Sequence, residues 1–158
     1  MDKNQAIITY LSSCPVIANN PLFFNFAKAE DNNKQLITVG TDKRVERPYI
    51  DGSVLKKFTF TIIDYRSVIY QAVVKEAGYP NENMEELMDV QSIIDWIDEQ
   101  NDNGNFPNFG DDCVIDEIRA LTDTPRLNSV DSSASPALAK YSVSIQILYL
   151  DKSKCIWK

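Results

Sequence analysis

The chain has 158 residues, enough for one domain with a real core, and its apolar content of 44% is ordinary for a globular protein. Its net charge of −7 argues against a general nucleic-acid binder held by a broad basic surface. It has no histidine, which closes Ser-His-Asp and Cys-His catalysis, His-bearing zinc sites and any His general base.

Cys14, Cys113 and Cys155 lack C-x-x-C spacing and read as free thiols, not as a disulfide framework or a zinc ribbon. No apolar run approaches the ~18 residues of a membrane span. The opening "MDKNQAIITYLSS" is too polar for a secretory signal, so a soluble protein assembled in a cytoplasm is expected, with no membrane partner.

In chain order, Asp2 is positioned to cap a short helix in which Ala6, Ile7, Tyr10 and Leu11 fall at helical spacing, and Pro15 follows its end. "NPLFFNFAKAEDNNKQLITVG" reads as a hairpin around Asp31-Asn32-Asn33-Lys34, because Asn and Asp tolerate turn geometry. A long polar connection, about 41–53, carries Lys43, Arg44, Arg47, Pro48 and an Asp51-Gly52 turn signal.

"KKFTFTIIDY" then alternates. Phe58, Phe60 and Ile62 share one face of a strand, and Lys57, Thr59 and Thr61 share the other. Residues 66–80 fit a strand extension or a helix equally, ended by Gly78-Tyr79-Pro80. "NENMEELMDVQSIIDWIDEQNDNG" is a helix with a stripe of Leu87, Val90, Ile94 and Ile97, and Asn83 is placed to cap it. Its late acids, Asp98, Glu99 and Asp102, oppose the helix dipole and favour an outside partner.

"CVIDEIRAL" fits strand or helix by pattern, and the resemblance described below favours strand. A second long Ser/Pro-rich connection, about 123–137, leads to a last strand at about 139–150. There Tyr141, Val143, Ile145 and Ile147 alternate with Lys140, Ser142, Ser144 and Gln146. The sum is one domain, 1–158, of the α+β class. An antiparallel sheet of about four to five strands packs its helices on one face, leaving the Thr/Ser/Gln face open to water or another subunit.

The charge is unevenly placed. Between Lys75 and Arg119 there are thirteen carboxylates and no base. Asymmetry of this kind serves solubility, or a subunit whose acidic flank meets a basic flank of its neighbour. No register of "DEQNDNGN" satisfies a calcium loop, since glycine and the closing Glu never fall in place together. Asp111-Asp112 and Asp116-Glu117 read as solvated loop charge, because no acid–base pocket or substrate shape accompanies them. Trp96 and Trp157 read as core or interface residues. No cofactor or metal is expected.

The ordered pieces resemble the tail-completion (tail-terminator) proteins of tailed bacteriophages, sometimes labelled minor capsid proteins. The most specific piece is "IIDWIDEQN" followed by a polar turn and "FPNF", framed by "FFNFAKAEDNNKQ", "RPYIDGSVLKKFTFTIIDY" and "LAKYSVSIQILYL". The similarity runs over nearly the whole chain and brings no catalytic signature.

The resemblance implies a structural virion protein of the tail neck. It would form a homohexameric ring that caps the tail tube, meets the sheath in contractile tails and joins the head-side connector, with DNA only as passing cargo. A stopper or connector adaptor is the neighbouring alternative, and a small-molecule enzyme a distant one. In a ring, Glu85, Glu86, Asp89, Asp95 and Asp98 on one flank would face Arg44, Arg47 and Lys56 on the other. Lys57, Thr59, Thr61, Lys140, Ser142 and Ser144 would face the lumen.

Overall fold

The computed structural model describes residues 2–20, 22–40, 44–69 and 81–156. Within them lie three helices and one mixed sheet of seven strands. Lys43, Trp157 and residues 70–80 fall outside the described residues.

Two strands of 15 residues form the spine: β4 (Val54–Val68) and β7 (Ala137–Asp151). They pair antiparallel over their whole length, from Val54↔Asp151 to Val68↔Ala137. The alternation read from the sequence holds: Phe60, Ile62, Tyr141, Val143, Ile145 and Ile147 are buried on one face. The first residues of the ambiguous 66–80 stretch continue β4.

The helices cover that apolar face. α1 (Lys3–Leu11) is capped by the Asp2 carboxylate, which accepts from the Asn4 amide, and it buries Ala6, Ile7 and Leu11. A four-residue helix, α2 (Pro15–Ala18), starts on Pro15, whose missing N–H costs nothing in a first turn. α3 (Glu82–Asn103) buries Val90, Ile93, Ile94 and Ile97, close to the expected stripe, and ends on Gly104 in the left-handed conformation. Its cap is Asn81, not Asn83. Asn83 instead exchanges two hydrogen bonds with the Ile69 backbone, tying the helix start to the end of β4.

The sheet departs from expectation in three places. The segment read as a hairpin forms β1 (Leu22–Phe24) and β2 (Lys34–Thr38), which pair parallel. Two asparagines explain this, because Asn25 and Asn32 both take positive φ (59° and 64°). The chain therefore turns twice and returns along its own edge before β2 begins. The Asn25 side-chain oxygen accepts from the Thr38 amide and holds the far end of β2 in place. Both connections read as long loops also carry strands. β3 (Val45–Pro48) pairs with β4, and β6 (Arg126–Asp131) pairs with β7. β5 (Cys113–Ala120) is the strand expected there.

β2 and β3 lie against one side of β4, while β5 and β6 lie against the far side of β7. The sheet thus has two unlike edges.

Candidate functional site

The first edge is that of β1, β2 and β3. Arg44 and Arg47 stand on it exposed. Lys56 and Lys57 do not stand free: Lys56 pairs with Asp151 at 2.7 Å and Lys57 with Glu46 at 3.1 Å. Where β2 ends and β3 begins the edge is notched. Lys3, Arg44, Lys56, Lys57, Thr38 and Thr59 help line a cleft of about 450 Å³ there. Lys3 also lies over the rings of Phe109 and Tyr149. Burial, then the charges of Cys113 and Asp151, push the Tyr149 hydroxyl up to about 12, so this wall of the cleft is neutral.

The second edge carries an acidic cluster on its helix-backed side, while Arg119 of β5 and Arg126 of β6 are exposed elsewhere on it. α3 packs mainly on β5, and Asn101 accepts from the Ile118 amide to join the two. The back half of the helix therefore lies over that edge, with Asp95, Asp98 and Asp102 exposed. Gln91 donates to both Asp95 and the Asp123 carbonyl, fixing the turn after β5 beside the helix. Burial, followed by Asp95, Asp102 and Asp123, holds the Asp98 carboxyl above its ordinary value. No basic residue occupies the last turn of α3.

The front half of α3 behaves differently. Glu86 and Asp89, expected on the acidic flank, both pair with Arg66 of the same chain, at 3.3 and 2.6 Å. Arg66 is 2% exposed and grips Asp64 through two hydrogen bonds, while Asp64 also faces the buried Lys34. Burial opposes the Arg66 charge, yet Asp64 and then Asp89 raise its pKa above the arginine range. Burial likewise pulls Lys34 down. These charges pin α3 to β4 and β2. Alternation was the signal for this cluster: Asp64 and Arg66 fall on the Phe58/Phe60/Ile62 face, where a charge must find a partner. Glu85, in the first turn, remains exposed.

No helix lies on the opposite face among the described residues, but that face is less wettable than expected. Thr61 and Ser142 are nearly buried, at 7% and 9% exposure, and Ile63, directly across from Ser142, is 3% exposed. Thr61 sits between Ile37 and Ser144 in the sheet, so flanking side chains shield it. Its hydroxyl bonds that of Ser144 at 2.9 Å, and Ser142 donates to Asn128. Lys57, Thr59, Lys140 and Ser144 keep partial exposure. Extending both spine strands also brings Leu55, Leu148 and Leu150 to this face.

Among the described residues no group of three or more His, Cys, Asp or Glu side chains is arranged to hold a metal, and no helix is long and apolar enough to cross a membrane. The arrangement defines a class by shape: a one-layer sheet backed by helices, with a basic notch on one edge and an acidic rim on the other. No protein-family model matches the chain, and no curated protein matches it.

Proposed function

We propose that the protein is a structural virion component that closes into a homohexameric ring at the tail neck, capping the tail tube and joining it to the head-side connector. The observation that carries this reading is the basic notch at one sheet edge and the acidic rim at the other. A cyclic ring uses a heterologous contact, so each copy must offer two different and complementary flanks. A chain built for solubility alone has no need to sort its charges by edge.

Strand direction supports the same reading. β1 and β3 run one way, while β5 and β6 run the other. Copies related by rotation about an axis along the strands would bring unlike edges together antiparallel. The open face would then line the passage for DNA, through Lys57, Thr59, Lys140 and Ser144. Sheath contacts, in a contractile tail, would lie on the outer helices.

The test is mass against concentration, with and without isolated tail tubes. Rings of six, or capped tubes seen by electron microscopy, are the expected result. A chain that stays monomeric at every concentration and ignores tubes overturns the reading. Labelled copies found one ring nearer the head would assign it to the connector instead.

A further inference from the structure

We propose that the notch between β2 and β3 is a socket for the acidic rim of a second copy, formed by Asp95, Asp98 and Asp102 of α3 with Asp123 of the turn after β5. This rests on the ring reading and names the groups that would make its contact.

Each half of the contact is unbalanced within one chain. In the notch, Asp151 and Glu46 answer Lys56 and Lys57, which leaves Lys3 and Arg44 in excess. Neither takes part in an ion pair among the described residues. Lys3 also begins α1, whose N-terminal dipole end adds positive potential, partly offset by the Asp2 cap. On the rim, four carboxylates crowd together with no ion pair to a cation among the described residues, and Gln91 holds two of the segments in register. A neighbour's cations would relieve that repulsion, and the rim would neutralise the notch.

The two halves also overlap in height. One line across the sheet runs from Arg44 through Lys57 and Leu148 to Glu117. The acidic rim begins near the end of that line, where Asn101 of α3 joins Ile118, and runs along α3 to Asp123 in the turn after β5. An approach that preserves strand height therefore brings the notch to the end of the rim nearest Asp102. The contact is one of side chains and not a continued β-ladder. Bulges at Val45/Arg47, Ile115/Glu117 and Leu127/Ser129 interrupt three of the edge strands, a device that blocks backbone pairing between sheets. Val39 beside the notch and Leu121 beside the rim, 38% and 47% exposed, supply apolar surface around the charges.

Charge exchange tests this. Arg44→Glu reverses the notch, and Asp98→Lys with Asp123→Lys reverses the rim; all three residues are exposed. Each variant alone should need at least ~10-fold more protein than the parent chain to form rings, with its circular dichroism spectrum unchanged. Mixed in equal amounts, the two should assemble again, because each reversed surface then meets a reversed partner. Variants that assemble as readily as the parent, or a mixture that stays apart while both remain folded, overturn the socket and leave the ring intact. A parent chain that never leaves the monomer overturns the ring reading itself. Should Asp98→Lys unfold the chain, Asp123→Lys paired with Arg44→Glu gives the same decision.

Discussion

Arg66 shows how much one side chain carries. It touches Asp64 on its own strand and Glu86 and Asp89 on α3, almost out of water. Removing one partner of a buried ion group leaves the others uncompensated, at about 3–5 kcal/mol. Arg66→Met should therefore lower unfolding stability by about that much in denaturant titration. A loss below about 1 kcal/mol would mean the cluster is not what fastens α3. Asp151 gives a pH signature. Hydrogen bonds from Lys56, then from the Ser153 amide, hold its carboxyl well below the usual range. Its folded pKa is below its unfolded one, so its contribution is complete at neutral pH and fades as acid protonates it. Lys56→Met should weaken the fold at pH 7 and make it less sensitive to acid. Equal acid sensitivity in variant and parent would show that the pair contributes nothing.

At the scale of elements, the spine and the added strands differ in kind. β4 and β7 are paired on both sides along most of their length, and their inner face is core. β6 is exposed at all six residues, and β3 at three of its four. Hydrogen exchange should be slowest in the middle of β4 and β7 and faster by orders of magnitude in β6, since local opening there exposes little apolar surface. Equal protection in β6 would mean that something else covers it. The spine was legible because a period of two persists over many residues. β3 and β6 were not, because "VERP" and "RLNSVD" are short and polar and become strands only where β4 and β7 offer an unpaired edge. The parallel β1–β2 pair was missed for a related reason. Asp and Asn mark a turn without saying how many turns the chain will make, and two asparagines in the left-handed region produced two.

For the whole molecule, the organising feature is a basic notch at one sheet edge and an acidic rim at the other. Attraction between exposed charges weakens beyond about 8 Å at physiological salt and more steeply above it. Ring formation should therefore fall as salt rises from 0.05 to about 0.5 M, read as the shift from ring to monomer in sedimentation. Rings indifferent to salt would point to an apolar interface elsewhere, such as the exposed Phe23, Phe24 and Phe26 at the β1 edge.

The sequence by itself determined the α+β class, the amphipathic helix of 82–103 and the inner faces of both long strands, because helical and strand periodicity are written in neighbouring residues. It also carried the uneven charge. Only the tertiary structure decided which carboxylates face outward. Glu86 and Asp89 look no different along the chain from Asp95 and Asp98, but folding brings Arg66 to the first pair and no described base to the second. Electrostatic partnership depends on distance in space, and a one-dimensional pattern holds no record of it.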